Sequence, residues 1–345
     1  MTGHALVTGA TGLVGSHLTE QLAAAGWTVR ALVRDPRNAA WIRELGASDL
    51  VRGDVLDAAS FAEAAKGCDV IFHTAAAITP SAGDWESYRA TNVGGTEAAI
   101  GAARASGARL MHVSSVAVYG PQGRYRGDGQ PTTEDAPMPP IPESALYARS
   151  KRESEALVLA AHERGEIWAT AIRPDVIYGK RDRQFIPRMA TLFSRLHAFP
   201  LPGGGRNTLA IINAASVADA AIRAATTDIA GGRAYNVANE GDTTLRDFVS
   251  LAATGLGTTV VPLPIPLGVV GFGLAAARAL WTTLHLPGAT ILQHASLNFV
   301  SKDNPFSSAR AERELGWHPV VPPIEAIPDA FRWWARHNRR SRTFA

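Results

Sequence analysis

The sequence predicts an α/β protein: a doubly wound parallel sheet with a smaller, interleaved C-terminal substrate lobe. Three observations predict it. Leu6-Val7-Thr8 is an apolar strand that runs into Gly9-Ala10-Thr11-Gly12-Leu13-Val14-Gly15 and then a helical stretch. Val70-Ile71-Phe72-His73 is an almost unbroken apolar run, as in strands covered on both faces. Strand and helix patterns then alternate through the first half of the chain, which calls for parallel strands joined by right-handed crossovers.

Taken in order, the helix that starts near Ser16 ends at Gly26, a C-cap, and Thr28–Val33 reads as the second strand. A helix near Ala39 to Leu45 leads to a strand over 49–55. A helix near Ala58 to Ala65 leads to the strand 70–73. A long helix from Trp85 to Ser106 precedes the strand Arg109 to Ser115, and a further helix spans 147–162. Beyond Tyr178 the alternation loosens around Pro187, Pro200, Pro202 and Gly203-Gly204-Gly205; a helix near 213–225 and a strand at Tyr235-Asn236-Val237 return to the sheet. The expected division is therefore 1–178 with 210–238 as a dinucleotide-binding domain, and 179–209 with 239–345 as the substrate lobe.

Glycines between a strand and a helix let the chain turn tightly and let a diphosphate approach main-chain N–H groups at the helix N-terminus. Alone, the pattern also describes a plain glycine-rich turn. Its neighbours decide for a dinucleotide site. About twenty residues downstream, where an acidic residue would bond a ribose hydroxyl, stands Arg34, with Arg37 close by. A guanidinium fork matches a 2′-phosphate, which favours NADP over NAD; Asp35, if it turned inward, would reverse that preference.

In a doubly wound sheet, ligands lie beyond the carboxyl ends of the strands, where Asp54, Thr74, Ala75, Ala76 and Ser115 fall. Tyr147 and Lys151 are four residues apart on one helix face. A phenol is a poor base near neutrality, and an ammonium within reach would lower its pKa into the range of acid/base work. Ser115 would hold the substrate oxygen near Tyr147, and a nicotinamide would give or take the hydride.

At these residues the chain resembles an extended short-chain dehydrogenase/reductase, of the superfamily that includes nucleotide-sugar epimerases and 3β-hydroxysteroid dehydrogenases. The resemblance runs through Thr8 to Gly15, Gly53-Asp54-Val55, His73-Thr74-Ala75-Ala76, Asn92 to Thr96, Val113 to Gly120, Tyr147 to Lys151, Arg173 to Gly179, Tyr235-Asn236-Val237 and Glu314 to Pro319. It implies a Rossmann fold and a Ser115, Tyr147, Lys151 catalytic set. Gly9, Thr11, Gly12, Leu13, Val14 and Gly15 would hold the diphosphate. Asp54 and Val55 would contact adenine, Ala75 and Ala76 would pass close to the cofactor, Lys151 would also hold the nicotinamide ribose, and Pro174 would lie against the nicotinamide. It also implies a homodimer formed through helices near 86–106 and 147–162, whose Ala98, Ala99, Ala102, Ala156, Leu157 and Leu159 would serve that contact or the core. Asn92 reads equally as a helix brace or a relay group, His73 as a structural imidazole, Cys68 as a small buried hydrophobe, and Asp175 as a substrate contact or a turn of the chain.

Composition narrows the class. A single cysteine excludes an intrachain disulfide scaffold, and the chain shows no export signal, so a cytoplasmic protein is expected. A net charge of +3 with no basic-aromatic groove pattern argues against nucleic acid, and no metal site is called for. Residues 255–277 carry no charge and lead into an apolar stretch interrupted by Arg278. That stretch reads as a helix covering an apolar pocket in preference to one lying on a membrane. It resembles the hydroxysteroid dehydrogenase and dihydroflavonol reductase branch. The basic tail with Trp333 and Trp334 reads as a final helix docked through one Trp, with membrane-surface contact the alternative. The expected function is therefore interconversion of a secondary alcohol and a ketone on a lipophilic, cyclic, steroid- or flavonoid-like substrate. The alternatives are a nucleotide-sugar epimerase with bound NAD and a non-catalytic NADP sensor.

Overall fold

The computed structural model describes residues 2–78, 83–124, 129–195, 198–238, 241–269 and 302–342. Two compact units divide the chain, 1–177 with 212–238 and 306–321, and 178–211 with 239–305 and 322–345.

The first unit is built on seven parallel strands in the order β10-β6-β5-β4-β1-β2-β3. They are β1 (His4–Thr8), β2 (Thr28–Val33), β3 (Ala47–Arg52), β4 (Val70–His73), β5 (Arg109–Val113), β6 (Ala169–Pro174) and β10 (Ala234–Val237); β7 (Val176–Tyr178) and β9 (Ile211–Asn213) lie outside this sheet. Helices α1 (Leu13–Ala24), α2 (Ala58–Ala65), α3 (Trp85–Tyr88), α4 (Gly95–Ser106), α5 (Gly120–Gly123) and α6 (Leu146–Glu163) occur in the first stretch, and α8 (Ala214–Thr226) follows β9. Apolar side chains fill both faces. Val7, Phe72, Met111 and Ile172 pack with Leu18 of α1 and Val217 of α8 on one side, while Leu6, Ile71 and Leu110 pack with Phe61, Ala99, Ala102 and Val158 on the other. Double burial is why β4 reads as an almost unbroken apolar run.

The strand register aligns the chemistry. Thr8 pairs with His73, and His73 with His112, so the ends of β1, β4 and β5 lie side by side.

Three local expectations are corrected. Residues Ala40–Leu45 wind as a 3-10 helix, closed by Gly46 in the left-handed region. The helix expected from 85 to 106 is interrupted by a π turn, Arg89–Gly94. Asn92 lies buried within this turn. Residues 306–321, assigned to the substrate lobe from sequence, belong to the first unit: α10 (Ala309–Leu315) buries Ala311 and Leu315 there, and Trp317 donates its indole N–H to the Ser216 carbonyl at 3.1 Å.

The second unit holds α7 (Phe185–Arg195), β8 (Ala198–Pro202), α9 (Leu245–Leu256), β11 (Val261–Ile265), paired in parallel with β8, and α11 (Pro323–Arg342). Its core is aromatic: Phe331 meets Phe248 edge-on at 5.9 Å and Phe193 at 6.1 Å. The last helix buries Ile327, Ala330 and Phe331; Trp333 stacks on His337 at 4.0 Å, and Trp333 and Trp334 are both half-buried. The apolar stretch from 270 to 286 lies outside the described residues. No described helix is long and apolar enough to cross a membrane. Ala99 and Ala102 are spent on the core, and Ala98 and Leu157 pack partly against it.

Candidate active site

The loop after β1 is tight enough to require its glycines. Gly9 has φ +65°, in the left-handed region, and a Cβ on it would lie 2.8 Å from the Ala75 nitrogen. A Cβ on Gly15 would fall 2.3 Å from the Gly9 carbonyl oxygen. Helix α1 thus seats directly on the turn that precedes it. It opens at Gly12 with no side chain capping it and no acid in its first turn, so its positive end faces outward unneutralised. That fits a diphosphate held by Gly9, Thr11, Gly12, Leu13, Val14 and Gly15.

At the end of β2, Arg34 is exposed. Asp35 is held within its own turn, accepting from the Arg37 N–H at 3.0 Å and from the Asn38 amide at 3.0 Å. After β3, Asp54 accepts from the Leu56 N–H and Val55 packs where a Cβ on Gly95 would meet it. Ala75 donates its N–H to Thr8 Oγ1, and Ala76 is exposed beside it. The loop carrying them is braced by Asn92, which accepts from the Ala77 N–H at 2.7 Å and donates to the Ser150 hydroxyl at 2.9 Å. The π turn thus ties the end of β4 to α6.

Ser115 follows β5 in extended backbone and caps the short turn Val116–Tyr119 by accepting from the Ala117 N–H. Its hydroxyl donates to the Pro174 carbonyl at 3.4 Å and also hydrogen-bonds the Tyr147 phenol. Lys151, buried, donates to the Val113 carbonyl at 2.7 Å. Ser115, Tyr147, Lys151 and Pro174 are therefore brought together at the ends of β5 and β6.

The electrostatics differ from the sequence expectation. Burial pushes the Tyr147 phenol up; the Ser115 hydrogen bond opposes this, and the Asp175 charge adds to it. The Lys151 amine is bonded to the Val113 carbonyl at the end of β5. Burial pulls Lys151 itself down to about 8 while Glu155 opposes.

Behind Lys151 lie two neutral imidazoles, His73 and His112, stacked at 5.6 Å. His73 accepts from or donates to Thr8 at 3.0 Å, and burial, with Lys151 adding, pulls it down to about 3.

Several residues of the site were not singled out by sequence reasoning. Glu155 grips Arg173 with both carboxylate oxygens, at 3.0 and 2.7 Å, and Arg173 also donates to the Tyr119 hydroxyl at 2.8 Å. Burial works against the Arg173 charge, and Glu155 more than offsets it, holding the guanidinium above its ordinary value. The signal was available, because Tyr147, Lys151 and Glu155 follow at four-residue steps along one helix face. Arg124, whose guanidinium bonds Asp175 at 2.5 Å, had no such signal, lying 51 residues away in sequence.

A family model, the NAD dependent epimerase/dehydratase family, matches residues 5–238. The chain is 31% identical over 314 residues to the 4-hydroxy-2-methyl-3-oxo-4-farnesyl-3,4-dihydroquinoline-1-oxide ketoreductase of Stigmatella aurantiaca, covering 90% of each. It is 30% identical over 328 residues to the 2-alkyl-3-oxoalkanoate reductase of Stenotrophomonas maltophilia, covering 92% of this chain and 94% of that one. Among solved structures, gox2253 superposes with a TM-score of 0.76 at 28% identity, covering 97% of this chain and 98% of that one.

Proposed function

Because the chain belongs to the NAD dependent epimerase/dehydratase family, as an NAD(P)-dependent enzyme of the extended short-chain dehydrogenase/reductase type, we propose that it reduces a lipophilic ketone to a secondary alcohol. The observation that carries this is that Ser115, Tyr147 and Lys151 meet at the end of β5, with Ser115 bonded to the Tyr147 hydroxyl. A protonated phenol gives its proton to an oxygen that gains negative charge, as a ketone oxygen does on reduction. Ser115 holds that oxygen by a second hydrogen bond. The nicotinamide, when bound, supplies the hydride.

Lys151 has a different task. Its ammonium clamps the Val113 carbonyl two residues before Ser115, fixing the strand end on which Ser115 sits, and by resemblance it would hold the nicotinamide ribose. Arg34, exposed and with Asp35 turned aside onto Arg37 and Asn38, would hold a 2′-phosphate, so NADPH is the proposed reductant. The names of the two relatives support the substrate class: a farnesylated ring with a 3-oxo group, and a 2-alkyl-3-oxo acid.

The test is a ketone panel assayed by loss of reduced nicotinamide. Cyclic and long-chain 3-oxo compounds should be consumed with NADPH in preference to NADH. Protein that arrives with NAD bound and interconverts a UDP-sugar without net redox change would replace this reading with an epimerase.

A further inference from the structure

Ser115 is held from both sides along the chain, and the far side has no part in the reaction described. Two residues before it, the Val113 carbonyl accepts from the Lys151 ammonium at 2.7 Å. Ser115 then caps the turn Val116–Tyr119, accepting from the Ala117 N–H at 3.2 Å. The turn closes on Tyr119, which is wholly buried. The Tyr119 hydroxyl donates to Asn236 Oδ1 at 2.8 Å, with the Thr133 carbonyl also within reach at 3.0 Å, and accepts from Arg173 Nη1 at 2.8 Å. Asn236 serves only one way round. Its NH2 donates to the Thr132 and Ser307 carbonyls at 3.1 and 3.2 Å, which leaves Oδ1 as the acceptor.

The sheet register sets these partners. Arg173 on β6 and Asn236 on β10 are paired residues, so their side chains stand side by side on one face. Pro174 directly follows Arg173, and its carbonyl accepts the Ser115 hydroxyl at 3.4 Å. The turn is thus fastened to the end of β6 at both of its ends. Arg173 is fixed in its turn by Glu155 on α6, at 3.0 and 2.7 Å, and Arg152 on the same helix donates to the Val118 carbonyl at 2.7 Å. One helix therefore carries the phenol and, through Glu155, Arg173 and Tyr119, sets the turn whose first hydroxyl bonds that phenol.

A buried hydroxyl between a guanidinium and an amide keeps all three satisfied only in a narrow range of positions, which is how a buried polar network specifies one arrangement. We infer that Tyr119 is a positioning residue: through Arg173 and Asn236 it fixes the turn that aims the Ser115 hydroxyl at Tyr147. It acts only through Ser115. The inference rests on the ketone-reducing reading above and deepens it.

The test is a double-mutant cycle on ketone reduction with NADPH, using the panel ketone that the wild type reduces fastest. Ser115→Ala, Tyr119→Phe and the two together are compared for kcat, ketone KM, NADPH affinity and urea unfolding midpoint. Ser115→Ala should lower kcat by about 10² to 10³, as loss of one donor to a developing oxyanion does. Tyr119→Phe should lower kcat by roughly ten- to a hundredfold, the effect of misplacing a reacting group by about 1 Å. Its ketone KM and NADPH affinity should stay within about threefold of wild type. In the double variant Tyr119→Phe should cost less than about twofold beyond Ser115→Ala, because the group it positions is gone.

A merely structural Tyr119 would lower the unfolding midpoint, and any factor it costs in kcat would multiply onto that of Ser115→Ala. Should Tyr119→Phe not fold, Arg173→Lys keeps a cation for Glu155, gives up the guanidinium arm on Tyr119, and is read in the same way. Wild-type kcat in Tyr119→Phe, factors that multiply in the double variant, or NADPH affinity lost with Tyr119→Phe overturns the inference and leaves ketone reduction standing. Full turnover in Ser115→Ala, or no panel ketone reduced by the wild type with NADPH bound, overturns the reading of the reaction and the inference with it.

Discussion

Around β1 the site is made of backbone: Gly9, Gly12 and Gly15 leave a helix end with no side chain over it. Around β5 and β6 it is made of buried charge, with Lys151 on the Val113 carbonyl, Glu155 on Arg173 and Arg124 on Asp175. The difference follows from what each half would hold. A diphosphate needs many donors and close approach, which bare amides provide. A proton transfer needs a few side chains whose charge states are set by their surroundings, and only burial with specific partners sets them. The first half fails when anything is added to it, and the second when anything is taken away.

Four substitutions test that contrast, from the largest expected effect down. His73 stands at the seam, neutral in the folded chain down to about pH 3, whereas an unfolded histidine takes up a proton near pH 6.5. Its folded pKa is lowered, so the unfolded state binds more protons below 6.5 and stability falls as the pH drops from 6.5 towards 3. The loss is on the order of 5 kcal/mol. Urea unfolding at neutral and acid pH should show a shallower decline in His73→Asn than in the wild type; an unchanged decline would mean the imidazole already titrates in the folded protein.

Glu155→Gln leaves the Arg173 guanidinium buried without its counter-charge, and should cost about 3 to 5 kcal/mol of unfolding free energy. A change below about 1 kcal/mol would show that the side-chain half does not depend on paired charge. Gly15→Ala tests the opposite half: its Cβ would strike the Gly9 carbonyl at 2.3 Å. The helix must move, at about 1 to 3 kcal/mol, with NADPH affinity falling in parallel. Retained affinity would argue that the helix end is not the anion site. Smallest, Arg34→Ala should lower the preference for NADPH over NADH by about tenfold, the worth of one exposed charge-assisted contact. Titration of both cofactors measures it.

The same contrast explains what could be read in advance. The backbone half shows in the sequence because glycine spacing, a preceding apolar strand and a following helix are all local. β6 (Ala169–Pro174) was not read in advance, but β1 and β4 show for the same reason, each being a short apolar run. The π turn did not, because the shift in hydrogen bonding that turns Asn92 towards Ala77 and Ser150 depends on α6, more than fifty residues on. Tyr147 and Lys151 were legible as a pair on one helix face, but not the direction of the phenol's pKa. That depends on burial and on where the ammonium goes, and the ammonium goes to Val113. Arg124 and Asp175 meet only through tertiary folding, so neither advertises the other.

The central claim is that the Tyr147 hydroxyl delivers the proton to a substrate oxygen. Its most direct test is Tyr147→Phe, with ketone turnover and NADPH binding measured on the same preparation. Turnover should fall by about 10² to 10⁴, the usual contribution of a positioned acid, while NADPH affinity and unfolding midpoint stay at wild-type values. Turnover within a few-fold of wild type in the Phe variant would contradict the claim.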